Sequence, residues 1–217
     1  TDKANLKQVL DLLPDSWDRY WIDYAPSGIA KIKFNIAGNS IETPKIDIGF
    51  ELSNGRLITK GNKKIELKAL NLSGTYSNGK RRNARSSSVD LTELSGQFPS
   101  GSFKGNAMIS NFKDLRIKGN VEGSLALDEL TQFLKLEKID TCKGDIVFNL
   151  AGDIYWDKIL EESVVISKSK LEGKIDFTDV AMKLKSSVST LKNYQGKVKF
   201  DKQQVRFEKS EGQLNST

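Results

Sequence analysis

Histidine is absent from this sequence of 217 residues, and Cys142 is its single cysteine. Without histidine there can be no Ser-His-Asp triad, no Cys-His pair and no HExxH zinc helix. A single cysteine excludes a disulfide within the chain, and zinc sites of the Cys/His type are excluded as well. Carboxylates are plentiful, so a glycosidase-like pair of acids stays open. No catalytic constellation is evident, and we expect no enzymatic activity, no metal and no cofactor.

Long apolar runs are also missing. No run approaches the roughly 20 residues that a membrane-spanning helix needs, and no signal-peptide pattern opens the chain. Hydrophobic residues (37%) and charged residues (29%) are mixed along the sequence, as in strands whose every second side chain faces water. The net charge of +6 comes largely from single lysines alternating with apolar residues. We interpret these lysines as a solvated sheet face that discourages edge-to-edge aggregation.

Three short segments resemble one another: CKGDIVF at 142–148, LEGKIDF at 171–177 and YQGKVKF at 194–200. Their glycines Gly144, Gly173 and Gly196 lie 29 and 23 residues apart, about the length of two strands with their turns. Self-similarity at such a spacing is typical of a sheet grown by repetition. We expect each glycine to mark a strand start, and Cys142 to be a small buried hydrophobe.

Residues 1–27 are predicted to form a helical cap. Apolar residues from Leu6 to Leu13 recur with helical spacing, and Pro14 should end that helix. A second short helix would carry an aromatic cluster of Trp17, Tyr20, Trp21 and Tyr24. These rings could anchor to a membrane interface, but we favour a plug that covers one open end of the sheet.

Residues 28–217 have a period of two and are predicted to form the repetitive sheet, which stops in mid-pattern and so is expected to be truncated. Asn54-Gly55 predicts a hairpin turn, and the phase change at Leu70 predicts a β-bulge. Later strands are expected at 89–94, 103–109, 115–121 and 123–127. Asp128 is expected to cap one short internal helix.

The apolar residues of these strands are the main functional signal, since an apolar strand face needs another apolar surface to cover it. They could close on one another as an ordinary sandwich, or line a trough that stays open for acyl chains. The candidate lipid-binding residues are Ile32, Phe34, Ile36, Ile46, Ile48, Phe50, Ile117, Val121, Leu125, Ile146, Phe148, Leu150, Ile175, Phe177, Val198 and Phe200.

A polar, basic segment at 77–88 predicts a long exposed loop. Its cations Lys80, Arg81, Arg82 and Arg85 could hold the phosphates of lipid headgroups or of nucleic acid, or could simply be solvated, which we favour. A nucleic-acid reader would interleave aromatic residues among these cations. The nearest aromatic, Tyr76, lies outside the loop, so we expect no nucleic-acid partner.

Several segments resemble the AsmA-like family of bacterial envelope proteins. They are LLP at 12–14, the alternating strand after Gly28, PKIDIGFELSNG at 44–55, SFKGNAMISNF at 102–112, GSLALDEL at 123–130 and GKVKFD at 196–201. The resemblance implies a periplasmic repeat that curls into a groove, anchored to the inner membrane in the full-length protein. It also implies a role in phospholipid transport or outer-membrane biogenesis, with inward-facing apolar residues as the path of the acyl chains.

Together these patterns predict a mostly β protein: an elongated, curled, largely antiparallel and groove-like sheet, with short N-terminal helices and one internal helix. Its expected partners are lipid acyl chains and other envelope proteins. Two alternatives stay open. One is a closed β scaffold or protein-interaction domain of the envelope, without a groove. The other is a carbohydrate-binding β domain, which would need aromatic residues clustered on one exposed face.

Overall fold

The computed structural model describes residues 3–10, 22–38, 42–60, 64–157, 163–164, 169–202 and 204–216. Twelve strands and two short helices are found in these segments. In chain order they are β1 (Lys3–Asn5), α1 (Leu6–Leu10), β2 (Tyr24–Ala37), β3 (Lys45–Thr59), β4 (Glu66–Ser77), β5 (Ser88–Phe98), β6 (Gly101–Ser110), β7 (Leu115–Ala126), α2 (Leu127–Phe133), β8 (Ile139–Asp157), β9 (Ser163–Val164), β10 (Lys170–Leu184), β11 (Ser189–Lys202) and β12 (Gln204–Ser216).

All described strands belong to one antiparallel sheet in which neighbours in space are almost always neighbours in sequence. The order runs from β1 to β8 and then through β10, β11 and β12, while the two-residue β9 pairs with β8. The sheet is open, with β1 and β12 at its two edges. The predicted mostly β, antiparallel and curled architecture is therefore confirmed. This order follows because antiparallel neighbours can be joined at the same end of the sheet without a crossover connection.

A contact between β2 and α2, which are distant in the strand order, shows that the sheet is curled. The Tyr24 hydroxyl on β2 donates a hydrogen bond of 2.6 Å to the carbonyl oxygen of Phe133 in α2, and their ring centroids are 5.1 Å apart. Helix α2 connects β7 to β8, and a flat sheet would separate β2 from β7 by about 24 Å. The sheet must therefore bend round so that its two halves approach.

The core lies on the inside of this curl, at the end where α2 sits. Phe98 on β5 is at its centre: the ring meets Phe133 edge-on with centroids 5.0 Å apart and lies 6.1 Å from Phe103. Buried side chains from β2, β3, β4, β7 and β8 complete the cluster. Cys142 is buried, as predicted, and burial raises the pKa of its thiol. It therefore packs as a small hydrophobe.

The hairpin predicted at Asn54-Gly55 is wrong, because both residues lie inside β3. Asn54 has the positive φ of 54° that the dipeptide favours, but it forms a bulge. The register with β4 shifts between Leu52 and Gly55. The bulge predicted near Leu70 is confirmed, because Ala69 has a φ of 49° and the register with β5 shifts between Lys68 and Asn71. Positive φ serves a bulge as well as a turn, so the local signal could not separate them.

Other predicted boundaries also change. The strands expected at 115–121 and 123–127 form the single strand β7. Asp128 lies in the first turn of α2 and does not cap it, since the N-cap position is Ala126. Gly144, Gly173 and Gly196 lie inside β8, β10 and β11 and do not start them. The described part of residues 1–27 holds β1, α1 and the first residues of β2, while the predicted Pro14 helix end lies outside the described residues.

Cross-strand ion pairs cover the polar face of the sheet. Lys31 and Glu51 lie opposite each other with 2.9 Å between Nζ and Oε1, and Lys104 and Glu122 are 3.0 Å apart in the same arrangement. Their side chains are about half exposed or more. Such exposed pairs stabilise a fold only slightly. Their effect is to keep this face hydrated, as the alternating lysines indicated.

The ion pair between Arg116 and Asp153 is bidentate. The Arg116 Nε and Nη2 atoms donate to the two carboxylate oxygens at 2.7 and 2.5 Å, and the guanidinium lies 5.0 Å from the Tyr155 ring centroid. The hydrogen bonds from Arg116 lower the pKa of Asp153 below its ordinary value of 3.8. A lowered pKa in the folded state means that this stability is present above 3.8 and is lost as the pH falls through the lowered value.

We therefore expect Asp153→Asn to lower the free energy of unfolding by about 1 kcal/mol at neutral pH, since the pair is partly exposed. The difference from the wild type should shrink as the pH falls below 3.8. Urea titrations at several pH values measure this, with Asp201→Asn as the control, because Asp201 is exposed and forms no ion pair with a described residue. A difference that stays constant down to acidic pH would contradict the assignment.

Candidate functional site

One row of paired residues crosses the sheet from β2 to β11 without a break. Residues directly opposite each other in adjacent strands point to the same face, so this row identifies one face of the whole sheet. We call it the apolar face. The row consists of Ala30, Leu52, Leu72, Leu94, Gly105, Val121, Leu150, Gly173 and Phe200.

The sixteen candidate lipid-binding residues all lie on the apolar face. Three of them, Val121, Leu150 and Phe200, belong to the row itself. The others lie two, four or six positions from a row member along their own strands, or are paired with such a residue. In the repeat segments, Ile175 is opposite both Phe148 and Val198. The sequence pattern thus identified residues that the fold brings onto one continuous surface.

The two ends of the apolar face differ in burial. One end, which we call the helix end, carries α1, α2 and the connections 60–65, 99–100 and 185–188. The other, the loop end, carries the connections 38–44, 78–87 and 111–114. Leu125 and Ile146, towards the helix end, are 4% and 7% exposed, and Val198, which is nearer the loop end of its own strand, is 7% exposed. Towards the loop end, Phe34 and Ile36 are 57% and 63% exposed. The face is therefore packed at the helix end and open at the loop end of β2.

The remaining candidates lie between these extremes and are half-buried. They are Ile32, Ile46, Ile48, Phe50, Ile117, Val121, Phe148, Leu150, Ile175, Phe177 and Phe200. Half-burial at the middle of a sheet means that side chains touch their neighbours on the strands but lack a covering layer. A second apolar surface could cover these groups, with a gain of roughly 25 cal/mol for each Å² removed from water.

Sequence patterns missed the residues that close the helix end. The strand predicted at 89–94 was expected to stop at residue 94, whereas β5 continues to Phe98, which is 3% exposed. The alternation of Leu94, Gly96 and Phe98 was a usable signal, but glycine at its middle position interrupted the apolar pattern. Gly96 is opposite Phe103 on β6, so the glycine leaves room for that ring.

The basic loop is confirmed as the connection 78–87 between β4 and β5, and it is tightly held. Asn78 is buried, accepts a hydrogen bond from the Ile46 amide at 3.0 Å and donates to the Pro44 carbonyl at 2.8 Å. Arg82 donates to Glu42 Oε2 and to the Thr43 carbonyl, both at 2.9 Å. Arg82 therefore braces the loop against the β2–β3 connection.

The other three cations of this loop are exposed, and the fold adds a fourth. Lys80, Arg81 and Arg85 form no ion pair with a described residue. The Phe112 amide donates to the Ala84 carbonyl at 2.8 Å, which brings the exposed Lys113 close to Arg85. These four exposed cations come from two neighbouring loops, 78–87 and 111–114. We call them, Lys80, Arg81, Arg85 and Lys113, the basic loop pair. A single lysine in a separate turn gave no signal in the sequence.

Several depressions in the described part of the surface lie on the polar face. One of about 750 Å³ has small residues at its centre, among them Asn106, Asn120 and Ala151, with Asp90 and Lys170 at its margin. Two others nearby are also lined mainly by polar residues. Exposed aromatic side chains, on which a sugar ring could stack, do not line them. The polar face therefore gives no support to the carbohydrate-binding alternative.

The aromatic plug can be followed only at Tyr24, because Trp17, Tyr20 and Trp21 lie outside the described residues. Tyr24 packs on Phe133 at the helix end, as a plug would require. Burial raises the pKa of its hydroxyl, and the nearby Lys135 opposes this shift only in part. Tyr24 is thus neutral at physiological pH and contributes a hydrogen bond and ring packing.

Within the described ranges, no cluster of three or more Cys, Asp or Glu side chains could hold a metal ion. The same ranges contain no helix long and apolar enough to span a membrane. No protein-family model matches the chain, and neither the curated proteins nor the solved structures include a match to it.

Proposed function

We propose that this chain binds lipid acyl chains along the open part of its apolar face. The observation that carries the proposal is the unbroken apolar row across nine strands, together with exposed Phe34 and Ile36 at one end of that face. Soluble proteins rarely leave a contiguous apolar surface uncovered unless it meets a ligand, a partner or a membrane. A half-buried row of this length suits a long, flexible, apolar ligand.

The mechanism needs no covalent chemistry. Each acyl CH₂ group that leaves water for the apolar face contributes about 0.8 kcal/mol, and the neighbouring strands supply contacts at regular intervals of about 4.8 Å. Because these contacts are repeated and similar, a chain can shift from one strand to the next at small cost. The protein then holds or guides lipid, and we assign it no enzymatic activity and no cofactor.

The resemblance to AsmA-like proteins leads us to place this activity in the periplasm, in phospholipid transport or outer-membrane biogenesis. An inner-membrane anchor in the full-length protein, and contacts with other envelope proteins, belong to the same proposal. The support is the agreement between the resemblance, which implies a curled groove, and the observed curled sheet with apolar residues inside the curl.

A closed envelope scaffold is the second candidate, and the helix end favours it. There α2, Tyr24 and Phe98 already close the apolar face with the protein's own side chains. If the whole face were covered in this way, the chain would have a structural or protein-binding role. The two candidates differ at the loop end, where Phe34 and Ile36 are exposed.

A double substitution on β2 tests the proposal. Phe34→Ala with Ile36→Ala should weaken binding of a neutral fluorescent monoacylglycerol by roughly tenfold to a hundredfold, because it removes about 1.5–3 kcal/mol of apolar contact. Lys33→Ala with Asn35→Ala is the matched control, since these residues alternate with the first pair and point to the polar face. Fluorescence titration measures the dissociation constants.

The control variant should bind as the wild type does. Equal weakening in both variants would place the lipid elsewhere. If the wild type binds no acyl probe, and native mass spectrometry recovers no lipid with protein purified from a Gram-negative host, the closed scaffold is the better description.

A further inference from the structure

The open end of the apolar face and the basic loop pair are at the same end of the molecule. Ile36 on β2 is opposite Ile46 on β3. The Ile46 backbone is bonded in both directions to Asn78, the first residue of the basic loop, at 3.0 and 3.1 Å. The exposed apolar end of β2 is therefore connected to the cationic loop through Ile46, which pairs with Ile36 and is hydrogen-bonded to Asn78.

The charge at this end is concentrated in two connected loops. Residues 78–87 and 111–114 contain five cations and one carboxylate, Asp114, for a net charge of +4. The loops are linked by amide-to-carbonyl hydrogen bonds from Phe112 to Ala84 at 2.8 Å and from Asn111 to Ser87 at 3.1 Å. Since Arg82 is committed to Glu42 and Thr43, the basic loop pair provides the cations that face solvent.

We propose that the loop end is a docking surface for anionic phospholipids. The phosphate groups of their headgroups would contact the basic loop pair, and their acyl chains would enter the apolar face past Phe34 and Ile36. This inference rests on the proposed acyl binding and adds the class of lipid and the end at which it enters. The helix end does not offer such an entrance, because α2 and Phe98 fill it.

The arrangement favours a lipid over nucleic acid. Single-stranded nucleic acid is bound by aromatic rings interleaved with cations. Here Phe112, within the second loop, and Tyr76, just before the first, lie with ring centroids 6.2 Å apart. Both are half-buried, so neither ring is an exposed stacking platform. At the same end of the sheet the exposed surface of β2 is apolar, at Ile36 and Phe34. Cationic and apolar groups at one end of the molecule match the two parts of an anionic phospholipid.

The test is vesicle flotation with the whole chain and two variants. Vesicles contain phosphatidylcholine alone, or phosphatidylcholine with one third phosphatidylglycerol. Each cation near an anionic membrane surface contributes roughly a fivefold factor in partition. The fourfold variant Lys80→Gln, Arg81→Gln, Arg85→Gln and Lys113→Gln should therefore lose several hundredfold in partition onto the phosphatidylglycerol vesicles. It should still bind the neutral monoacylglycerol probe.

The matched control removes four exposed lysines elsewhere on the sheet: Lys33→Gln, Lys68→Gln, Lys143→Gln and Lys192→Gln. Both variants reduce the net charge from +6 to +2, so a general charge effect would act on both. The control should lose less than about fivefold, the contribution of one cation near the surface. Equal losses in the two variants, or no loss in the loop variant, would overturn the docking surface.

Failure of the docking surface is distinguishable from failure of the proposed function. If the monoacylglycerol probe binds and neutralising the basic loop pair changes nothing, acyl binding stands and the docking surface falls. If vesicle partition depends on the loop pair while no acyl probe binds, headgroup docking stands, and acyl binding falls together with the entry of acyl chains past Phe34 and Ile36. Binding of a short oligouridylate that depends on the loop pair, with no partition onto anionic vesicles, would replace the lipid by nucleic acid and overturn the inference.

Discussion

Replacing Phe98 by alanine should lower the free energy of unfolding by about 3–5 kcal/mol, the usual cost of removing a buried aromatic ring. Phe98 is 3% exposed, and its ring contacts Phe133 on α2 and Phe103 on β6. Its loss would leave a cavity between the sheet and α2 that the rigid strands can fill only in part. Urea unfolding followed by circular dichroism measures the change.

Phe34→Ala is the matched control for this prediction. It removes the same ring from the same face of the sheet, but Phe34 is 57% exposed. We expect a loss of less than about 1 kcal/mol, because an exposed side chain has little transfer free energy to lose. Similar losses at the two positions would mean that the helix end is not the core, and the closed-end and open-end distinction would be lost with it.

Gly173→Ala should destabilise the fold by about 3 kcal/mol or more, because backbone strain and a steric clash add together. Gly173 has a φ of +123°, and a Cβ atom there would lie 2.0 Å from the Asn149 carbonyl oxygen. That oxygen belongs to the backbone of β8, which pairs with β10 along its length. Neither strand can move away without breaking this ladder.

Gly49→Ala is the corresponding control in another central strand. Its nearest neighbour for a new Cβ atom is the Lys33 Cβ at 3.9 Å, an ordinary contact. We expect a change between zero and about 1 kcal/mol of stabilisation, since alanine restricts the unfolded chain more than glycine does. If Gly173→Ala were equally well tolerated, the pairing of β8 with β10 would have to differ from the observed register.

Gly173 also explains what the repeat segments achieve. We predicted that their glycines begin strands, yet all three lie within strands. On the apolar face Gly173 is opposite Leu150 on one side and Phe200 on the other, and Gly196 is opposite Phe177. Glycine beside a large residue leaves space for the neighbouring side chain across the pair. The repeated segments therefore share two requirements: apolar residues at the positions that pack, and a small residue where a large side chain lies opposite.

The fold class could be predicted because its cause is local. Alternation of apolar and polar residues with a period of two determines that a segment forms a strand with one dry face. Short connections between such strands then favour antiparallel neighbours in sequence order. For the same reason all sixteen candidate residues could be assigned to one face before any register was known.

Strand boundaries and the basic loop pair were less accessible, because they depend on partners distant in sequence. The positive φ of Asn54 suits both a turn and a bulge, and only the pairing of β3 with β4 decides between them. Lys113 joins Arg85 because two loops meet across β5 and β6. No residue near Lys113 in the sequence indicates that contact.

Alternation and composition were enough to define a repetitive antiparallel sheet with one apolar and one charged face, and to exclude histidine-based chemistry and a disulfide within the chain. How that apolar face is divided depends on the tertiary fold. Curling brings Tyr24 against Phe133 and buries the helix end around Phe98, while Phe34 and Ile36 stay exposed at the other end. The physical reason is that alternation specifies which side of a strand is dry, whereas the curvature of the whole sheet determines what each part of that side meets.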